Sequence, residues 1–482
     1  MSGGAGTFWN AESLASAAGG RLVRRATRAI TPGVSIDSRA VGPGQTFVAL
    51  RGERVDGHIF VGDAAARGAA LAIVDDERAL HDDGSIGVVH VPDARAALSR
   101  LADSYRRAIE GVVFVGVTGS NGKTTTTRLI HGVLSGAMAG RCSVKSFNND
   151  IGVPLTVLSA REGDRFVVCE VGTNHPGEIE PLSRLIRPRV GVITSIGRAH
   201  VEGLGGVEGV AREKASIVAG LEPGGVLLYS ADAPVLRALV GSGPGRVSFG
   251  VASDAMIRVA RVVGGLEGVR FTLGDGAEFA CPLLGEHNAC NCAAAVGVAR
   301  LLGVDDRATR VALAGFRAAE MRLETVEIGG VRVLNDAYNA NPDSMAAAVR
   351  TLREVGATAS RRVAVLGDML ELGESGPAAH RELGELLAGA PAPELIVLVG
   401  NLASLAAGVL ARDPRREVMM LDGLTPARAA EIAALLRPGD IVLLKGSRRM
   451  GLERVLESVR AAHGATGRGV EMPPARAGWG RE

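Results

Sequence analysis

Residues 116–127 read Gly-Val-Thr-Gly-Ser-Asn-Gly-Lys-Thr-Thr-Thr-Thr. This run follows a β-branched stretch, Val112–Val117, and opens a helical one. A glycine-rich loop in that setting turns backbone N–H groups toward one point at a helix N-terminus, and that point binds phosphate. Lys123 then places a compact ammonium near the β- and γ-phosphates, and the Thr124 hydroxyl faces a magnesium ion. Gly119, Ser120, Asn121, Gly122 and Thr125 complete the expected loop. The spacing departs from the ordinary pattern. Five residues separate Gly116 from Gly122, and Val117 stands where the first glycine is expected. A bare Gly-Lys-Thr could be a structural turn; the strand before it and the helix after it favour phosphate binding.

A second signal is compositional. Of 54 basic residues only four are lysine: Lys123, Lys145, Lys214 and Lys445. Arginine serves wherever a generic surface cation suffices. The retained lysines are therefore candidates for work a guanidinium cannot do, either as a compact point charge or as an amine that loses its proton and reacts. Chance survival is the bland alternative for each. Lys123 lies in the phosphate loop, and Lys445 lies at a strand end, where a cleft-facing cation would contact substrate or phosphate. Lys145 has no role derivable from its context.

The elements that must position these residues alternate strand and helix. A chain of 482 residues exceeds what one core usually serves, so several domains are expected. Residues 1–110 mix short apolar runs (QTFVAL, Gln45–Leu50; AALAIV, Ala69–Val74) with turns, as in a small α/β domain. Residues 111–317 hold buried-strand candidates at Val112–Val117, Phe166–Val171, Val190–Thr194 and Gly225–Tyr229, separated by helix-length segments. They predict a doubly wound α/β domain. Hairpin strands are expected over Arg258–Pro282 and an Ala-rich helix over Asn288–Leu302. Residues 318–464 repeat the alternation at Val331–Asn335, Arg362–Leu366, Leu395–Val399 and Ile441–Leu444, as in a Rossmann-like domain. Residues 465–482 read as a disordered tail.

Composition narrows the function. With 54 basic and 52 acidic residues the net charge is +2, which argues against a nucleic-acid-coating or membrane-surface protein. No apolar run reaches the roughly 18–20 residues of a membrane helix, and the first thirty residues hold no apolar signal core. A cytoplasmic protein without membrane insertion is expected. The five cysteines show no Cys-x-x-Cys spacing and read as reduced thiols.

TGSNGKTT with this spacing resembles the variant loop of the Mur ligases and the folylpolyglutamate synthetases, which use ATP to join a carboxylate to an amine. The resemblance runs along nearly the whole chain. Asp37-Ser38-Arg39 and Gly44–Phe60 look like the UDP-binding domain of the Mur ligases. NNDIGVP (Asn148–Pro154), EVGTNHPGE (Glu170–Glu178), NDAYNAN (Asn335–Asn341), GDMLELG (Gly367–Gly373) and KGSR (Lys445–Arg448) resemble the branch of the family that adds D-alanyl-D-alanine to UDP-MurNAc-tripeptide.

That resemblance implies a role for each matching residue. Glu170 joins Thr124 on one Mg²⁺, and His200, in RAHVEG, helps hold a second. Lys214, in VAREKAS, matches a lysine that takes up CO₂ as a carbamate and becomes a metal ligand; a neutral nucleophilic amine is needed, which arginine cannot supply. Asn288 and Asn291 lie at the adenine side. Arg322 and Asp336 close over the ATP, Asp336 on the ribose, with Asn339 beside them. Ser38, Arg39, Asn148, Asn149 and Lys445 fall on the substrate side. The catalytic set is Lys123, Lys214, His200 and Arg322. A monomer is expected, with two Mg²⁺ sites. Ahead of Arg322 the chain reads AAEM, where many relatives have a Pro-Gly turn.

The implied reaction is activation of a carboxylate as an acyl phosphate, followed by attack of the D-alanyl-D-alanine amine. Another Mur ligase, chiefly the one adding the third residue, is the nearest alternative; its Asp-Asn-Pro-Arg motif is not found here. A non-enzymatic nucleotide-binding regulator would not need the second metal set. A nucleic-acid motor would carry a basic stripe, and none is visible.

Overall fold

The computed structural model of the protein describes residues 5–53, 55–76, 86–411 and 417–463. The tail expected beyond residue 465 lies outside the described residues.

Short apolar runs bounded by turns build the first sheet: β1 (Arg21–Arg24), β2 (Val34–Ser35), β3 (Thr46–Val48), β4 (Leu71–Val74) and β5 (Gly87–His90), in the order β1-β5-β4-β3-β2. Strands β2 to β5 pair in parallel and β1 runs antiparallel to β5. The expected strands at QTFVAL and AALAIV are thus β3, shorter at both ends, and β4, shorter at its start.

The second sheet holds β6 (Val113–Thr118), β7 (Gly140–Cys142), β8 (Phe166–Glu170), β9 (Val190–Ile193), β10 (Val226–Ser230), β11 (Arg246–Gly250), β12 (Ile257–Gly265), β13 (Gly268–Leu273) and β14 (Glu278–Cys281). Its order is β14-β13-β12-β11-β10-β9-β6-β8-β7. All pairs from β7 to β12 are parallel. Helices cover both faces of such a sheet, which is why β8 and β9 read as unbroken apolar runs buried throughout. The order matters for the site: β6 lies between β9 and β8. Val117 is the register partner of Glu170, and Thr118 of Ile193. Three strand ends therefore open onto one edge.

The third sheet holds β15 (Glu324–Ile328), β16 (Val331–Asp336), β17 (Arg361–Gly367), β18 (Leu395–Val399), β19 (Glu417–Leu421) and β20 (Asp440–Lys445), in the order β15-β16-β20-β17-β18-β19. Only β15 is antiparallel to its neighbour. Helix starts are capped from the sequence. Asn341 forms a capping box with Ser344 ahead of Pro342, and Thr425 caps Arg428 N ahead of Pro426.

By internal contacts the chain forms two compact units. One comprises Met1–Val262, Arg270–Cys281 and Asn288–Phe316; the other comprises Val263–Val269, Pro282–His287 and Arg317–Glu482. The first two sheets share a unit because the helix Ala94–Ala108 packs on the helices Gly152–Leu158 and Ile179–Ile186. Arg106 fastens it. Its buried guanidinium donates to Ile186 O (2.6 Å), Arg187 O (3.0 Å) and Glu222 Oε1 (2.6 Å) and lies 4.3 Å from the Phe114 ring centroid. Phe8, Trp9 and Tyr105 close the same core, with the Trp9 and Tyr105 rings 5.0 Å apart.

Candidate active site

The loop after β6 has the form its sequence predicts. Gly119 and Gly122 take positive φ (146° and 81°), and the helix Lys123–Ser135 starts directly after. Both glycines are required. A Cβ on Gly119 would stand 2.0 Å from Thr194 Oγ1, and one on Gly122 would stand 2.5 Å from Asn291 Oδ1. The loop is clasped from the end of β9. Ser195 Oγ accepts from Asn121 N (2.9 Å) and donates to Asn121 O (3.0 Å). Ser195 O accepts from Ser120 N (2.9 Å), and Thr194 Oγ1 donates to Asn121 O (2.5 Å). Ser120 Oγ accepts from Gly197 N (3.0 Å), tying the loop to the segment that leads to His200. Lys123 Nζ donates to Gly119 O (2.8 Å) and Ser120 O (3.3 Å). Ser195→Ala removes two of these bonds at once. It is expected to raise the KM for ATP about tenfold, read from phosphate release against ATP concentration.

The loop from Ser143 to Asn149 stitches Thr124 to Glu170. Ser143 Oγ accepts from Glu170 N (2.9 Å), Ser146 Oγ lies 3.4 Å from Thr124 Oγ1, and Asn148 Nδ2 donates to Glu170 Oε1 (2.8 Å). Glu170 is buried at the end of β8, and its Oε2 has no hydrogen-bond partner. An orphaned buried carboxylate oxygen is costly unless a cation meets it. Lys214, on the helix Gly206–Ala215, is 1% exposed, and its Nζ is likewise without a partner. Burial pushes its pKa well below the usual lysine value; the nearby Lys123 charge adds to this, and Glu213 and Glu178 oppose it. Burial thus favours the neutral amine, the form that reacts with CO₂. His200 is half-buried and left-handed (φ 58°) just ahead of the helix Val201–Leu204.

Among the described residues no three His, Cys, Asp or Glu side chains gather as a metal cluster. A magnesium ion wants oxygen ligands. The residues present fit one through the Thr124 hydroxyl and the free Glu170 oxygen, and a carbamate on Lys214 would add the missing anionic oxygens.

The segment after Glu170 is held by carboxylates. Glu213 accepts from Gly177 N, Glu178 N and Ile179 N at 2.8–3.0 Å, and Glu178 Oε2 from Asn174 N (2.8 Å) and His175 N (3.2 Å). Asn149 Oδ1 accepts from Gly152 N (2.9 Å), so this asparagine shapes the turn into the next helix. Lys145 is exposed, with φ 52°. In the helix Asn288–Leu301, Asn291 donates to Asn288 Oδ1 (2.8 Å) and accepts from Thr126 Oγ1 (3.2 Å), which seats that helix on the phosphate loop. In the first sheet's domain Ser38 is buried, while Arg39 is exposed and donates twice to Asp37 at 2.9 Å. Those bonds hold the Asp37 carboxyl down to about 2.

In the second unit, Arg322 lies 4.0 Å from the Tyr338 ring centroid and is flanked by left-handed Met321 and Leu323. Arg322 N donates to Ala319 O (3.1 Å), so AAEM makes the turn, with Met321 in the conformation a glycine would take freely. Lys445 was expected to face substrate. Its contacts are internal: the side chain is 3% exposed, and Nζ donates to Asp336 Oδ2 (2.6 Å) and Asn339 O (3.0 Å). Asp336 also accepts from Leu323 N (3.2 Å) and so anchors the Arg322 turn. The reason is register: Asp336 and Lys445 are direct partners on neighbouring strands. Asp336→Ala leaves a buried ammonium with no counter-charge, held only by Asn339 O, and is expected to destabilise this unit by about 3 kcal/mol, read from urea unfolding.

Comparison with known proteins places the chain in a family. A family model described as "Mur ligase family, catalytic domain" matches residues 31–106, one described as "Mur ligase middle domain" matches 117–299, and one described as "Mur ligase, glutamate ligase domain" matches 321–448. A Bacillus subtilis (strain 168) protein named "UDP-N-acetylmuramoyl-tripeptide--D-alanyl-D-alanine ligase" is 36% identical over 433 residues, covering 89% of this chain and 93% of that protein. The chain belongs to the Mur ligase family. An Escherichia coli (strain K12) protein of the same name is 32% identical over 439 residues, with 89% and 93% covered. Among solved structures, MurF from Acinetobacter baumannii superposes with a TM-score of 0.81 at 30% identity, covering 94% of this chain and 99% of that one. MurF from Thermotoga maritima in complex with ADP gives 0.74 at 26% identity, with 89% and 97% covered. Being a Mur ligase, the chain is an ATP-dependent peptide ligase with the family's three-domain α/β fold.

Several side chains that shape this Mur ligase's site were not read from its sequence: Thr194, Ser195, Ser143, Ser146, Glu213 and Tyr338. The Thr-Ser pair directly after a buried strand was the one available signal.

Proposed function

We propose that the protein joins D-alanyl-D-alanine to UDP-MurNAc-tripeptide, giving UDP-MurNAc-pentapeptide, ADP and phosphate in peptidoglycan precursor synthesis. The observation that carries this reading is near full-length likeness to proteins bearing that ligase name. The phosphate loop, buried Glu170 and buried, unpartnered Lys214 supply the chemistry such a reaction needs.

The terminal carboxylate of the tripeptide takes the γ-phosphoryl group of ATP, releasing ADP and forming an acyl phosphate. The neutral amine of D-alanyl-D-alanine attacks that carbonyl, loses a proton, and the tetrahedral adduct expels phosphate as the amide forms. Phosphoryl transfer is mainly positioning and charge neutralisation. Gly119, Ser120, Asn121, Gly122, Thr124 and Thr125 cradle the phosphates, and Lys123 exchanges its loop carbonyls for phosphate oxygens. Thr124, Glu170, His200 and carbamylated Lys214 would hold two Mg²⁺ ions, which offset the repulsion between the carboxylate and ATP. Asn288 and Asn291 take the adenine side, with Arg322, Asp336 and Asn339 contributed by the third domain. Ser38 and Arg39 serve the UDP moiety, and Asn148 and Asn149 the peptide. Lys445 serves the substrate side, braced by its ion pair with Asp336. The domains run 1–110, 111–317 and 318–464. No described helix is long and apolar enough to cross a membrane; a cytoplasmic monomer that binds no nucleic acid completes the reading.

The test is phosphate release from Mg-ATP with UDP-MurNAc-tripeptide, with and without D-alanyl-D-alanine. Release requiring both, with a pentapeptide product by mass, supports the ligase. Release with single amino acids and a shorter precursor would move it to another Mur step, and no release despite tight ATP binding would leave a regulator.

A further inference from the structure

Of the four lysines, Lys145 alone has been left without a role. It stands on the loop from Ser143 to Asn149, and that loop is tied at both ends to β8. Ser143 Oγ accepts from Glu170 N (2.9 Å), and Ser143 N donates to Val168 O (3.0 Å). Asn148 Nδ2 donates to Glu170 Oε1 (2.8 Å), and Asn148 O accepts from Gly172 N (2.7 Å). In the middle, Ser146 Oγ lies 3.4 Å from Thr124 Oγ1. Lys145 is therefore held one residue from a contact with the phosphate loop.

Between the ties, Phe147 N donates to Val144 O (3.1 Å) and closes a tight turn with Lys145 at its second position. The backbone there takes φ 52°, which a glycine would adopt freely and a residue with a Cβ adopts at a cost. Strain of this kind gathers at ligand sites. Lys145 is exposed, and so are its neighbours Val144 (62%) and Phe147 (41%). Among the described residues its ammonium has neither a hydrogen bond nor an ion pair. Asp150, the nearest acidic residue along the chain, is held by Arg95, with Nη2 donating to Oδ1 at 2.7 Å. The loop thus presents a short apolar surface with one uncommitted cation.

The reaction dictates what comes to it. The carboxylate that takes the γ-phosphoryl group is that of the tripeptide's third residue, so the Cα of that residue is one bond from the reacting carbon. Its side chain leaves from beside Thr124 and Glu170. Consecutive Cα atoms are about 3.8 Å apart, so a lysine one residue from the Thr124 contact can reach the end of that side chain.

We propose that Lys145 selects the third residue of the precursor: with Val144 and Phe147 it receives an aliphatic side chain that ends in a carboxylate, and it turns away one that ends in an ammonium alone. The inference rests on the ligase reading above and names the charge of the substrate's third residue.

UDP-MurNAc-tripeptides carrying 2,6-diaminopimelate or lysine at the third position differ by that one carboxylate. With the full-length enzyme at low ionic strength, kcat/KM is expected to be about tenfold higher for the diaminopimelate precursor. The preference should shrink as salt is raised, because the pair is exposed and screened. Lys145→Gly accepts the left-handed backbone, so its folding is not at risk. It should bring the two precursors within about twofold of each other and leave the KM for ATP unchanged. Lys145→Glu should favour the lysine precursor. Calorimetry of the two precursors binding to ATP-free enzyme should show the same order in each protein. A wild type without the preference overturns the proposal. So does an equal loss for both precursors in Lys145→Gly, which would move the charge to a part of the substrate they share, and so does a raised KM for ATP alone. If the wild type makes pentapeptide from neither precursor, the ligase reading falls and this inference with it. If it makes pentapeptide from both with equal kcat/KM, only the role of Lys145 falls.

Discussion

Lys123→Ala is expected to lower kcat/KM for Mg-ATP by about 10³-fold or more, since removing one preorganised donor at a centre of developing charge costs about 10²–10³ and this one carries a full charge. The structure adds a second reason. The ammonium bonds Gly119 O and Ser120 O across the phosphate loop, so the alanine variant loses a brace as well as a cation. Lys123→Arg is the sharper test. Arginine has replaced lysine at nearly every basic position of this chain, leaving four lysines among 54 basic residues. If a compact ammonium is what the loop requires, Lys123→Arg fails nearly as badly as Lys123→Ala in a phosphate-release assay. An arginine variant with wild-type activity would reduce the residue to a generic charge.

Lys214→Met is expected to pull activity and stability in opposite directions. Activity should fall by roughly 10³-fold, the several kcal/mol that a metal site contributes to a phosphoryl transfer. Stability in CO₂-free, magnesium-free buffer should rise by about 1–3 kcal/mol, because an apolar chain of similar shape replaces a buried amine that has no hydrogen-bond partner. The pH dependence follows from the lowered pKa. Between the folded value and the ordinary 10.5, the unfolded lysine is protonated and the folded one is not. The unfolded state binds the extra proton, so wild-type stability climbs with pH until about 10.5, and the methionine variant lacks that increment. Bicarbonate with magnesium should stabilise the wild type and leave Lys214→Met unmoved in thermal unfolding. If Lys214→Arg kept full activity and bicarbonate changed neither protein, the carbamate assignment would be wrong.

What could be read without a structure is what short-range physics dictates. A β-branched run, a glycine-rich turn and a helix start lie within about twenty residues, so the phosphate loop and Lys123 were legible from the chain alone. The buried parallel strands were legible for the same reason: β9 is a continuous apolar run, and β8 is one up to Cys169. The scarcity of lysine singled out four residues, the family resemblance gave Lys214 its role among them, and the structure places its amine buried and unpaired.

What only the tertiary structure decided depends on which strands become neighbours. Thr194 and Ser195 clasp the phosphate loop because β9 lies beside β6, although more than seventy residues separate them from Asn121. Lys445 pairs with Asp336 because β20 inserts beside β16 in a register that makes the two direct partners. Arg106 merges the first two sheets into one unit through bonds to backbone carbonyls about eighty residues away. Local sequence sets each element and its chemistry; burial of apolar faces between distant elements sets the strand order, and strand order selects which polar side chains meet.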